Sequence, residues 1–392
     1  VERAYKQLSE EGIITMTRGM QTPARDNIKI FALLNRMLET IEVEQPARHL
    51  LQSRNYLAVN TLLFKTSVDE ELFESYQSST QKLNMEIDFG AGFATDSIQI
   101  SDLDISEEVE NTRYYYQYAA HQITSGNEAS FYDQWVYNVD PPTDNQPYFH
   151  DFFKWDTISR FVESYGNFWF RRLELGYAVL VITFLNLALF SFILILLPLF
   201  ALRHQLKKAP NKLPTLLFFS AIGIGFMFLE MVYIQFFTKF MGDPIYSISA
   251  AMTSILISSG IGSSLQNRLS GTPVKRIKIA AGLLGLIVLL YIWQLDALLA
   301  YFIQFGTGIR FFVTVILLFP PAFFMGWMFP NGMSLVEQNA KQLVPWAWGV
   351  NGFFSVAASP LAVMLSMSFG FKTVMLLALI CYIFAAGSTI LW

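Results

Sequence analysis

Glu230 has the side chain whose type and position most invite chemistry in this 392-residue chain. It closes the run Gly223-Ile224-Gly225-Phe226-Met227-Phe228-Leu229-Glu230, which carries no other charge. A carboxylate inside a long apolar run is expensive unless it is paired, protonated or turned toward a cavity. It therefore either lies on a permeation path or clamps helices together. Asn351, in Trp346-Ala347-Trp348-Gly349-Val350-Asn351-Gly352, is a polar amide at the start of another apolar run. Its expected role is an interhelical hydrogen bond. Gly223 and Gly225, and later Gly260 and Gly262, suit close helix approach. His150 beside Asp151 has the residue types of an acid/base pair, but adjacent residues rarely face one site, so a structural role is expected. The single cysteine, Cys381, allows neither a disulfide framework nor a cysteine-rich metal site within the chain, and reads as a small core or lipid-facing residue. No catalytic, cofactor-binding or metal-ligating residue is assigned.

The elements that must position Glu230 and Asn351 are set by composition. Hydrophobic residues make up 53% of the chain and aromatic ones 16%, and mean hydropathy is +0.38, far more apolar than a soluble core requires. Up to Leu173 there are 15 Lys and Arg against 26 Asp and Glu; beyond it there are 12 against 5. The acidic front half argues against a nucleic-acid partner, which needs clustered cations. Seven apolar runs follow, at 175–202, 214–237, 245–266, 279–300, 309–329, 346–369 and 373–391, with Asp296 near the end of the fourth. Each has roughly the 20 residues needed to cross a bilayer. Pro320-Pro321 should break or kink the fifth run, and Gly326-Trp327-Met328-Phe329-Pro330-Asn331-Gly332 reads as a turn at the membrane edge.

The front half reads as α/β. The opening VERAYKQLSEEG suits the last turns of a helix ending at Gly12, as if the chain were a fragment. Ile13-Ile14-Thr15-Met16-Thr17 predicts a buried strand. Ile28, Phe31, Leu34, Leu38 and Ile41 predict a helix with one core-facing stripe, ending near Pro46. Runs at 49–53 and 56–64, broken by Arg54-Asn55, suit a hairpin, and Ser67-Val68-Asp69-Glu70 matches a capping box opening a helix to about Gln81. That order fits the C-terminal end of a methyltransferase-like Rossmann sheet, where a parallel sheet finishes with an antiparallel hairpin. Periodicity fades beyond Phe89, through an acidic stretch at 102–110 and the run Tyr114-Tyr115-Tyr116, which suits a helix with an aromatic face. The aromatic-rich segment 147–155 suits the bilayer interface. The expected organisation is an α/β part at 1–90, an acidic and aromatic connecting region at 91–173, and an all-α polytopic membrane domain of about seven helices at 174–392.

Several stretches resemble one family. They are Gly12-Ile13-Ile14-Thr15-Met16-Thr17-Arg18 with Pro23-Ala24-Arg25-Asp26; Pro46-Ala47-Arg48-His49; Thr143-Asp144-Asn145-Gln146-Pro147-Tyr148-Phe149; Gly225-Phe226-Met227-Phe228-Leu229-Glu230; Gly242-Asp243-Pro244-Ile245-Tyr246-Ser247; and the Trp346 to Gly352 run. Together they resemble the C-terminal part of the membrane-bound spermidine synthase-like proteins of bacteria, although Asn145 and Gln146 stand where that family has further charges. The resemblance implies a Rossmann-like synthase domain fused to membrane spans. It also implies aminopropyl or methyl transfer from decarboxylated S-adenosylmethionine or S-adenosylmethionine to a small amine. The glycine-rich nucleotide loop and catalytic acids of such a site would precede residue 1, so this portion alone is expected to be inactive.

Three functions compete: a membrane-anchored transferase, a transporter or sensor of polyamines or small amines with Glu230 on its path, and a structural anchor in which Glu230 only clamps helices. The bilayer is the one partner implied throughout, with no oligomeric state indicated. Sidedness is contested. Arg203, Lys207, Lys208 and Lys212 after the first run, and Arg268, Lys275, Arg276 and Lys278 after the third, draw those loops to the cytoplasm, which sends residues 1–173 to the far side. Nucleotide chemistry needs the cytosol, and Arg171-Arg172 pull the same way. The expectation is a protein of the bacterial inner membrane with its soluble half in the cytoplasm.

Overall fold

A computed structural model describes residues 1–92, 112–172, 174–204, 209–268 and 270–392. The acidic stretch at 102–110, Lys207 and Lys208 lie outside the described residues. The chain divides into two compact units, one built from Val1–Thr143 and Pro147–Tyr177, the other from Asp144–Gln146 and Ala178–Trp392.

In the first unit, the short helix α1 (Glu2–Lys6) ends well before Gly12, because Gln7 already closes its last turn. Strand β1 (Ile13–Gly19), helix α2 (Asp26–Thr40), strands β2 (Leu50–Arg54) and β3 (Ala58–Phe64), helix α3 (Glu70–Lys82) and strand β4 (Glu86–Gly90) follow. The sheet order is β1-β3-β2-β4, and each neighbouring pair is antiparallel. Since β1 and β2 both oppose β3, they point the same way, with α2 as the crossover between them and β3 inserted from the hairpin. The first strand is an edge strand, not the buried one its composition suggests: Ile14 and Met16 reach the core while Ile13 is exposed. The face of β1 turned from the core is open, so its alternate residues stay outside. Helix α3 starts later than the capping-box reading, because Asp69 and not Ser67 accepts from the Leu72 amide. Strand β4 carries Glu86 and Asp88, charges that hide it from a hydrophobic pattern; Arg54 on β2 pairs with both, at 2.7 and 2.9 Å.

Beyond β4 come α4 (Thr112–Thr124), α5 (Glu128–Gln134) and α6 (Ile158–Tyr165). The aromatic face expected on α4 exists as Tyr115 and Tyr116, both buried against the α2 side of the sheet. The 147–155 segment contributes Phe152 to this same core, so it serves packing as well as display: Trp155 is exposed, and Phe153 stacks on Tyr177.

The second unit holds α7 (Leu175–Leu199) from Ala178 on, α8 (Lys212–Met241), α9 (Pro244–Leu265), α10 (Pro273–Phe302), α11 (Thr307–Asn339), α12 (Val344–Phe369) and α13 (Phe371–Ser388). All seven are long and apolar enough to cross a bilayer, which makes this an integral membrane protein. Asp296 does not shorten its helix. It pairs with Lys372 at 2.9 Å, at the start of α13.

Neither a break at Pro320-Pro321 nor a turn at 326–332 is present in α11. The helix runs unbroken through Pro320, Pro321 and Pro330. Pro321 has no N–H to offer the Leu317 carbonyl four residues back, and the Tyr291 hydroxyl of α10 donates to that carbonyl instead. The 326–332 segment is buried helix and not a membrane-edge turn. Gly326 lets the Ser259 carbonyl of α9 into contact, and Gly262 of α9 does the same for the Phe323 carbonyl of α11, so these helices meet backbone to backbone.

Asp144–Gln146 belongs to this second unit. Asn145 accepts from the Lys372 amide through Oδ1 and from the Phe371 amide through its carbonyl, which caps the N-terminus of α13. Gly370, at φ +85°, leaves room for Asn145. Here Asn145 and Gln146 act as capping groups, for which an amide serves and a charge is not required.

Candidate functional site

The first unit offers polar clusters with structural work. Lys29 of α2 is buried and donates from Nζ to the carbonyls of Asp151 (2.9 Å) and Asn138 (3.3 Å), while its ammonium sits 4.9 Å from the Phe152 ring centroid. Burial pushes this ammonium down to about 8, against the pull of Asp151, Asp140 and Asp26. Burial raises the Asp151 carboxyl, with Lys29 opposing. His150 and Asp151 do not pair: the imidazole lies against Phe149 and Phe152. No direct contact between the two side chains supports the acid/base option.

Glu230 lies on α8 and is 8% exposed. It makes no hydrogen bond or ion pair with a described residue, though it is within electrostatic reach of Tyr382 on α13. Glu230 falls four residues beyond Phe226 and eight beyond Ile222, so the three share one stripe of α8.

Asn351 fulfils its expected role. Its Nδ2 donates to the Phe219 carbonyl at 3.2 Å; one turn on, Ser355 donates to the Gly223 carbonyl at 3.4 Å; a further turn on, Ser359 reaches the Met231 sulfur at 3.5 Å. Spacing of four along α12 thus lays three polar side chains onto α8. Gly223 is required for this seam, since a Cβ there would come within 2.8 Å of the Asn351 carbonyl. Gly225 gives the same freedom toward α13, where a Cβ would meet the Tyr382 ring at 3.0 Å and the Cβ of Cys381 at 3.2 Å.

These helices form a partly open cavity of about 320 Å³. Phe226, Met227, Met325, Met328, Phe329 and Trp348 supply its apolar wall. Asn351, Ser355 and Tyr382 supply a polar strip. Glu230 is not on the wall; it stands one turn past Phe226. A wider groove of about 670 Å³ shares Phe226, Met325, Phe329 and Trp348 with the cavity and continues past Ser259, Ser263, Gln266, Ser334 and Glu337. The Gln266 Oε1, buried, has no hydrogen-bond partner. Tyr382 and the methionines escaped sequence reasoning, because a tyrosine inside an apolar run looks like ordinary core. The spacing of Asn351, Ser355 and Ser359 at intervals of four was the signal that could have extended the site.

Among the described residues no group of three or more His, Cys, Asp or Glu is placed to hold a metal ion. Comparison with known protein families, curated proteins and solved structures finds no match to this chain.

Proposed function

We propose that this chain is the membrane-anchored C-terminal part of a spermidine synthase-like transferase of the bacterial inner membrane. In this reading the first unit closes a methyltransferase-like Rossmann sheet on the cytoplasmic side. The observation that carries it is the strand order: β1 and β2 point the same way around the crossover helix α2, with β3 inserted antiparallel between them. A doubly wound parallel sheet that ends in a hairpin would finish in this manner. The sequence stretches that resemble those of the spermidine synthase-like proteins support the same assignment.

The chemistry is displacement at carbon. An amine nitrogen attacks the carbon beside the sulfonium of S-adenosylmethionine or its decarboxylated form, the C–S bond breaks with its electrons on sulfur, and a carboxylate accepts the amine proton. The nucleotide loop and the carboxylate belong to the upstream half of such a domain, and the residues described here build the sheet they stand on. Calorimetry on the full-length protein in detergent tests the reading. Binding of decarboxylated S-adenosylmethionine identifies aminopropyl transfer and binding of S-adenosylmethionine identifies methyl transfer; binding of neither removes the transferase.

The cavity supports a second reading, in which the helical unit itself binds a small molecule as a transporter or sensor, because an apolar wall with a few convergent polar groups is the usual composition of a ligand site.

A further inference from the structure

The cavity between α8, α11, α12 and α13 has a chemistry specific enough to name its ligand class, and the argument rests on the second reading above. Its free hydrogen-bonding capacity mainly accepts. Asn351 commits one of its two amide N–H groups to the Phe219 carbonyl and leaves the other and Oδ1 available; Ser355 commits its proton to the Gly223 carbonyl and leaves its oxygen lone pairs. Tyr382, 1% exposed, has a hydroxyl that bonds to no described residue. Phe226, Phe329 and Trp348 present π surfaces to the same space, with Phe329 and Trp348 at 4.6 Å between centroids. Among the described residues no Lys or Arg is on the wall. One turn beyond Phe226 stands Glu230, a carboxylate without an ion-pair partner among the described residues.

Acceptors, aromatic faces and one uncompensated carboxylate in a low-dielectric setting all favour positive charge. We infer that this cavity binds a small monovalent organic cation with an apolar body, its ammonium N–H groups donating to Asn351, Ser355 and Tyr382 and its charge balanced by Glu230. The volume, about 320 Å³, lies at the small end of ligand sites. A second ammonium held within the cavity would lose its water against methionine and phenylalanine, since no carboxylate lines that wall. The adjoining groove, which shares the Phe226, Phe329 and Trp348 wall, supplies the approach from outside.

The test uses phenethylammonium, its neutral counterpart phenylethanol, and spermidine, each titrated into the full-length protein in detergent. Phenethylammonium should bind about tenfold more tightly than phenylethanol, as expected for a desolvated cation over aromatic faces beside a carboxylate. Glu230→Gln should abolish that preference. Tyr382→Phe, which keeps the ring and its packing, should weaken the amine about fivefold and keeps the question decidable if the Glu230 variant does not fold. Equal binding of amine and alcohol, an unchanged preference in both variants, or spermidine binding as tightly as phenethylammonium overturns the inference while leaving a ligand-binding bundle. Failure of all three to bind overturns both.

Discussion

At the scale of single residues, Lys29 sets the clearest pH dependence. Its ammonium is held near 8 in the folded chain against 10.5 when solvated, so between those values the unfolded chain carries more protons and stability rises with pH. Below 8 the ammonium is charged in both states and the burial penalty is present in full; above 10.5 it is neutral in both and the penalty is gone. The window spans roughly 3 kcal/mol at most. The stability of the wild type relative to Lys29→Met should therefore grow as pH is raised from 8 to 10.5, read by thermal unfolding of the two proteins in parallel. A difference that stays flat across the window would mean the amine is solvated. Nothing in the sequence announced this lysine. It occupies a helix whose stripe of Ile28, Phe31, Leu34 and Leu38 was legible, and only the chain near Asn138 and Asp151 folding over α2 turns its position inward. The ion pair of Arg54 with Asp88 was hidden for the same reason, because its partners are 34 residues apart and meet only across β2 and β4. Glu230 and Asn351, by contrast, were legible, since polarity inside an apolar run is visible in one dimension.

At the scale of elements, spans were easy to read and their interruptions were not. Hydropathy located all seven helices, whereas Pro320 and Pro321 suggested a break that α11 does not contain. Proline removes a hydrogen bond inside its own helix, and whether the freed carbonyl is satisfied depends on a neighbouring helix that a local rule does not see. Tyr291 is that neighbour's contribution. Replacing it by Phe keeps the ring against Tyr233 and removes only the donor, leaving the Leu317 carbonyl without this bond in an apolar surrounding. Tyr291→Phe should cost about 1 kcal/mol and lower the melting temperature measured in detergent by scanning fluorimetry. No shift would show that another donor already serves Leu317. The glycines of α9 and α11 make a related point. Gly260 and Gly262 were both expected to allow close packing, but only Gly262 meets the opposing backbone, while a Cβ on Gly260 would meet open space. Composition identifies a helix that can be approached closely, and the face used is settled by the partner.

At the scale of the whole molecule, sidedness decides whether the transferase reading stands. If each candidate span crosses once, one span, α7, lies between the first unit and Arg203 and three lie between it and Lys275, and an odd number of crossings would set the first unit and these basic residues on opposite faces of the membrane. The basic loops favour the cytoplasm by charge, whereas a domain using S-adenosylmethionine-type nucleotides requires it by substrate supply. Long domains follow loop charge less closely than short loops do, so the two demands do not weigh equally. The transferase reading commits the first unit to the cytoplasm. In a Cys381→Ser background, Tyr56→Cys in the exposed turn between β2 and β3 should react with a membrane-impermeant maleimide only after spheroplasts are permeabilised, and Lys275→Cys should react in intact ones. The reverse pattern would leave an integral membrane protein with a cation-binding bundle. It would also put the sheet out of reach of cytosolic nucleotide, and the strand order of β1, β3 and β2 would then be inherited architecture without the chemistry.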